Sequence, residues 1–138
     1  MSLIRNVWVC CIFLVLIVGC IEEKIISPDG EIVKVTVDLQ QGFEGASIRV
    51  SANEEGIFRA ELSTSVPLAG PQAYFVTYLP RGMSQLLVSW EFPYQPLPSR
   101  KDSADVDIGD AEQYFIGLSA YGDMLNVLVQ DSAFAYVK

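Results

Sequence analysis

From Glu31 onward, apolar side chains return at every second position, and this period of two is the strongest constraint on what the chain can fold into. Val33, Val35, Val37 and Leu39 alternate with Ile32, Lys34, Thr36 and Asp38. Successive side chains of a strand point to opposite faces, so this segment has one apolar face and one mostly polar face. Ile48 and Val50 repeat the pattern against Ser47, Arg49 and Ser51, and Phe58, Ala60 and Leu62 repeat it against Arg59 and Glu61. Residues 84–92 do so again, with Leu86, Val88, Trp90 and Phe92 on one face. Turn chemistry separates the segments: two glycines within 40–45, Asn53-Glu54-Glu55-Gly56, prolines and a glycine within 66–71, and Pro80-Arg81-Gly82. Seven or eight short strands, with turns about every ten residues and no convincing long helix, predict an all-β antiparallel β-sandwich.

Residues 72–79 are apolar on both faces. That fits a strand covered on both sides, or one with an aromatic outer face. Residues 93–109 form the longest irregular stretch, with Pro93, Pro96 and Pro98 before a polar run over 99–103. A short strand around Val106 and Ile108 interrupts it. The end of the chain predicts strands over 113–120 and 124–130, joined by Tyr121-Gly122-Asp123, and a last short strand over 134–137. One segment reads two ways. Asp110 is placed to cap a helix over 111–121, with Gln113 reaching back and Gly122 ending it. Gly117 in the middle costs a helix about 1 kcal/mol relative to Ala and weighs toward a strand; both readings stay open.

The residue types that are missing exclude chemistry. The chain has no histidine, which removes Ser-His-Asp and Cys-His catalysis and histidine-based zinc or copper sites. Cys10, Cys11 and Cys20 all precede residue 21, so the rest of the chain has neither a thiol nor a disulfide. The net charge is −8, and the one cation ahead of residue 22 is Arg5, so the remainder is more acidic still. Such a surface does not suit nucleic acid and does not favour direct adhesion to anionic lipid.

The first residues set the address. After Arg5, residues 7–21 carry no charge and nothing more polar than cysteine, until Glu22, Glu23 and Lys24 end the run. A bilayer span needs about 20 apolar residues, and this run has the length of a secretory signal's hydrophobic region. Ile17-Val18-Gly19-Cys20 resembles the lipobox of bacterial and archaeal lipoproteins. The resemblance implies that Cys20 is lipidated and becomes the mature N-terminus. An uncleaved anchor helix over 3–21, with Arg5 snorkelling to the headgroups, is the alternative. Either way, Arg5 lies on the cytoplasmic side and residues 22–138 face outward. The expected organisation is signal or anchor over 1–19, lipidated cysteine and short tether over 20–30, and β-sandwich over 31–138.

A second resemblance concerns the sandwich. Ile108-Gly109-Asp110-Ala111-Glu112-Gln113-Tyr114 resembles the approach to the tyrosine corner of immunoglobulin-like and fibronectin-III-like domains. Ile108 stands six residues before Tyr114, and Asp110 four before it. The resemblance implies such a sandwich with Trp90 as the buried core aromatic. Ile116 occupies the place of the immunoglobulin's second cysteine, so the inter-sheet disulfide is absent.

Three constellations are candidates for function. Asp102, Asp105, Asp107 and Asp110 do not make a complete calcium loop, since no glutamate closes the set, yet their spacing offers oxygen ligands. The same alternation also describes a charged edge strand. Tyr74, Tyr78, Trp90, Phe92 and Tyr94 could stack on sugars or anchor a partner, or simply form core. If Tyr74, Val76 and Tyr78 are exposed together, the binding reading gains, because large exposed apolar patches are rarely idle. Paired carboxylates are the remaining acid–base chemistry. The loop over 92–98 and its tip over 99–103 are the expected contact region, with Trp90, Phe92, Tyr94, Arg100 and Lys101 as binding residues. The expected function is a membrane-anchored binding module, not an enzyme, with no cofactor and with an envelope protein or surface glycan as partner. The alternative is an accessory subunit of a membrane or surface assembly, and third a carboxylate-based glycan-active enzyme. For the anchor, Cys20→Ser should release the protein from lipid and change its mature mass; a variant that stays membrane-bound at unchanged mass overturns lipidation.

Overall fold

The computed structural model describes residues 31–65, 67 and 69–136; the hydrophobic run, Cys20 and the tether lie outside them. Glu31–Lys138 forms a compact unit of its own. Eight strands follow in order: β1 (Ile32–Gln41), β2 (Ser47–Ala52), β3 (Glu55–Glu61), β4 (Ala73–Pro80), β5 (Gly82–Glu91), β6 (Arg100–Ile108), β7 (Gln113–Tyr121) and β8 (Met124–Gln130). They make two four-stranded sheets, ordered β4-β1-β7-β8 and β3-β2-β5-β6. Every pairing is antiparallel except β1 with β7.

The alternation read from the sequence becomes the core between the sheets. Val33, Val35, Val37 and Leu39 of β1 are buried, as are Ile48 and Val50 of β2 and Leu86, Val88 and Trp90 of β5. Val106, Ile108, Ile116 and Leu118 complete the inner rows. Each such side chain gains about 1.5–3 kcal/mol from burial, and with no disulfide this burial must hold the sheets together. Phe43 meets Trp90 edge-on, with ring centroids 5.7 Å apart at 87°. At one side of the sandwich, Phe58 of β3 stacks on Phe75 of β4, at 4.3 Å and 7°. At the other, the Leu125 backbone N–H of β8 donates to Asp102 Oδ2 of β6 at 2.9 Å.

Short connections set the registers. Asn53 and Glu54 both have positive φ, at 49° and 69°, and form a two-residue hairpin loop whose twist suits the strands it joins. Asn53 is fastened to β5, because its Oδ1 accepts from the Gln85 N–H at 2.9 Å and its Nδ2 donates to Ser84 Oγ at 3.1 Å. Arg81, between β4 and β5, donates through Nη1 to the carbonyls of Gly109 and Ala111, and its Nε lies 2.8 Å from Glu31 Oε2. One guanidinium thus ties the start of β1, the β4–β5 turn and the β6–β7 loop. The hydrogen bond from Arg81, and then its charge, hold the Glu31 carboxyl below the usual range.

Several expectations change. Instead of a helix over 111–121, Gln113–Tyr121 forms strand β7, since its two edges pair with β1 and β8. The irregular stretch shortens to residues 92–99, because Ala104, Val106 and Ile108 pair inward against β5 and carry β6 through nine residues. No strand forms over 134–136. At the β6–β7 loop, the Ala111 N–H donates to the Tyr114 hydroxyl at 3.2 Å. Gly109 lets the ring sit there, since a Cβ would lie 2.7 Å from that hydroxyl.

The strand order departs from the immunoglobulin one, in which the first strand pairs with the second. Here β1 lies between β4 and β7. The cause is the β1–β2 link, whose Phe43 and Ala46 are buried and carry the chain across to the other sheet. Gly42, at φ 89°, makes this crossing, and a Cβ there would meet the Ala120 carbonyl oxygen at 2.0 Å. Trp90→Ala should cost about 3–5 kcal/mol, read as a lower urea midpoint by far-ultraviolet circular dichroism.

Candidate interaction surface

The outer face of the β4-β1-β7-β8 sheet divides into an open apolar half and a sealed polar half. On β4, the side chains opposite to buried Phe75 and Leu79 are Tyr74, Val76 and Tyr78. They are 67%, 47% and 60% exposed. Cross-strand register extends this face inward. Val76 stands beside Thr36 of β1, which stands beside half-buried Phe115 of β7. Tyr78 stands beside Lys34, and Tyr74 beside Asp38. Leu128 of β8, also exposed, lies on the far side of Gly117. β4 is an edge strand, so among the described residues its outer backbone groups have no strand to pair with.

The polar half is closed by the end of the chain. Residues 131–136 return from β8 to β1, where the Tyr136 hydroxyl donates to Asp38 Oδ2 at 2.5 Å. Gln40 Nε2 donates to the same hydroxyl at 3.5 Å, and Ser119 Oγ donates to Gln40 Oε1 at 3.3 Å. A register shift in β1 between Leu39 and Gln41 accompanies this placement of Gln40. Gly117 leaves the room for it, since a Cβ there would lie 2.6 Å from Gln40 Nε2. Asp38 is only 8% exposed. Burial, then the hydrogen bond to Asp38, push the Tyr136 hydroxyl up to about 12.

The residues singled out from the sequence do not form one site. Trp90 is 2% exposed and belongs to the core, because its side chain faces Phe43 between the sheets. Phe92 packs half-buried against that core. Tyr94 stands free, 94% exposed, in a loop turned by the Gln95 N–H donating to the Phe92 carbonyl at 3.1 Å. Arg100 shares its face with Trp90 and is partly buried, while Lys101 is exposed on the opposite face beside Ser89.

The aspartates are likewise divided by the strand period. Asp102 points to β8, and the backbone N–H groups of Leu125 and then Ser103 hold its carboxyl below the usual range. Asp105 and Asp107 face outward, and Asp110 is exposed beyond the end of β6. Among the described residues, no three carboxylates gather as metal ligands. The other sheet carries a shallow hollow of about 250 Å³ lined by Ser47, Arg49, Ser89, Trp90, Glu91, Ser99 and Arg100, so Trp90 and Arg100 border it together. Glu91 there accepts from Ser99 Oγ at 3.2 Å.

Tyr74 and Tyr78 were legible as candidates. The Asp38–Tyr136 contact was not, because Asp38 occupies an outward position of β1 that the alternation reads as solvent-facing. Only the separation of β1 from the chain's end hides it, and no local signal marks it. In comparisons with known proteins, the chain matches no family model, no curated protein and no solved structure.

Tyr136→Phe removes the donor from a buried carboxylate and should lower stability at neutral pH by about 1–2 kcal/mol. The raised hydroxyl carries a pH signature. Its folded value of about 12 exceeds the ordinary 10.0, so its contribution is full below pH 10 and lost as pH rises toward 12. Urea midpoints should therefore fall more steeply over that window in the wild type than in Tyr136→Phe.

Proposed function

We propose that this protein is a membrane-tethered, extracytoplasmic binding module that docks another protein chain on β4 and the apolar half of its sheet's outer face. The observation that carries this reading is the joint exposure of Tyr74, Val76 and Tyr78 on an edge strand. Three large apolar side chains on one open face, next to unpaired backbone groups, suit a protein partner. A sugar would ask more polar partners of this face. Val76, Phe115 and Leu128 offer none, the Asp38 carboxylate is taken by Tyr136, and what remains is Lys34, Thr36 and the two tyrosine hydroxyls at the margin of the apolar row.

The tether rests on the resemblance of Ile17-Val18-Gly19-Cys20 to a lipobox, which implies a diacylated Cys20 facing outward. Among the described residues no helix is long and apolar enough to cross a membrane, and residues 7–21 lie outside them. A second reading, an accessory subunit in a membrane or surface assembly, draws on the length of β4. Eight residues without a charge make an edge suited to permanent cover.

The test is purification of the full chain from membranes in mild detergent, beside a Tyr74→Ser/Tyr78→Ser variant. A bound protein chain, of this or another kind, should be lost in the variant while circular dichroism stays unchanged. A fixed stoichiometric partner favours the subunit, and exchangeable binding favours the free module. A lone monomer in the wild type overturns both.

A further inference from the structure

Of the four edge strands among the described residues, β3 and β6 carry charges, β8 has one backbone N–H taken by a neighbouring strand, and β4 has neither. β3 holds Glu55, Arg59 and Glu61 and has a register shift against β2. β6 holds Arg100, Lys101, Asp102, Asp105 and Asp107. β8 has no charge, but its Leu125 N–H is taken by Asp102 of β6. β4 has no charged residue over Ala73–Pro80, no register shift against β1, and its outer side chains exposed. Charges and irregularities are how sheet proteins prevent edge pairing. β8 lacks both as well, but its edge is engaged by Asp102 at Leu125, whereas no such contact falls on β4 among the described residues.

The outward side chains of β4 are self-complementary. Tyr74, Val76 and Tyr78 read the same in both directions about Val76. Antiparallel pairing of β4 with a second β4, centred on Val76, sets Tyr74 opposite Tyr78 of the second copy and Val76 opposite its own equivalent. On the inner face, Phe75 meets Thr77 and Ala73 meets Leu79. No like charges are brought face to face, because the strand has none. Aromatic and β-branched cross-strand pairs of this kind are favourable. Pro80 at one end, which lacks an N–H, and Gln72 at the other, whose backbone N–H donates to the Leu39 carbonyl at 2.7 Å, bound the pairing. A two-fold axis through Val76 closes the pair and leaves no further copy of this edge to extend it.

We propose that the occupant of β4 is a second copy of this chain, joined edge to edge about Val76 into one continuous eight-stranded sheet. The inference rests on the reading of β4 as a docking strand and names its partner. Two chains tethered to one membrane also meet at a raised effective concentration.

Disulfide trapping tests the register itself. The full chain, with Cys10 and Cys11 replaced by Ser, is oxidised in mild detergent after single cysteine substitutions. Opposed Cβ atoms in a pair lie about 4.5–5.5 Å apart, close enough to bridge with modest adjustment. Val76→Cys should therefore give a covalent dimer as the main product. Tyr74→Cys alone and Tyr78→Cys alone should not, since each would lie more than about 10 Å from its own equivalent. Mixing the Tyr74→Cys and Tyr78→Cys proteins under differently sized tags should give the hetero-linked dimer.

Absence of the Val76→Cys dimer overturns self-pairing, as does equal trapping at all three positions. If it is absent while a different chain still depends on Tyr74 and Tyr78 for co-purification, the docking reading stands without self-pairing. If both fail, β4 is not a docking strand.

Discussion

The constraint on which the rest depends is burial of alternate side chains between two sheets that no disulfide joins. Val33, Val35, Val37 and Leu39 of β1 occupy a central strand of one sheet, and Ile48, Val50, Leu86, Val88 and Trp90 line the other. Downstream of Cys20 there is no cysteine, so packing alone must hold the layers at their spacing. Because strand side chains alternate strictly, burying one row presents the other row to the outside. The outward Tyr74, Val76 and Tyr78 are therefore tied to the inward Phe75 and Leu79, and a one-residue slip would exchange them.

Around that core, the sandwich is closed by a few interactions of different kinds. Phe58 on Phe75 seals one side by stacking, and Asp102 on the Leu125 N–H seals the other through a carboxylate. Arg81 joins three segments through one planar donor group, which a lysine's point charge would not reproduce. These contacts also sort the edges. The Asp102 contact occupies β8, while the Phe58 contact covers only the inner face of β4. Among the described residues, the outer face and outer edge of β4 are left open.

The end of the chain treats the same sheet differently. Tyr136 covers Asp38 and engages Gln40, so a carboxylate that would otherwise face solvent is satisfied internally. The two halves of one outer face are thus chemically distinct: one is polar and complete, the other apolar and uncovered. Of the residues read from the sequence, Trp90 and Lys101 point to opposite sides of their sheet, while Trp90 and Arg100 border one hollow and Arg100 and Lys101 another.

The amino-acid sequence by itself determined most of the strands and their inward rows, the lack of a disulfide after Cys20 and the absence of histidine chemistry, but not the start of β6 or the strand state of β7. These are local properties: a period of two needs only neighbours along the chain, and a missing residue type needs no structure at all. It also determined that β4 is apolar on both faces, without deciding whether its outer face is covered. Tertiary structure decided that. Strand order depends on distant pairings, such as the crossing at Gly42 and Phe43 that sets β1 between β4 and β7. Those pairings made β4 an edge, placed Trp90 inside, and brought Tyr136 to Asp38 across nearly a hundred residues of chain. No short-range pattern encodes them, because their energy is realised only when segments far apart in sequence meet.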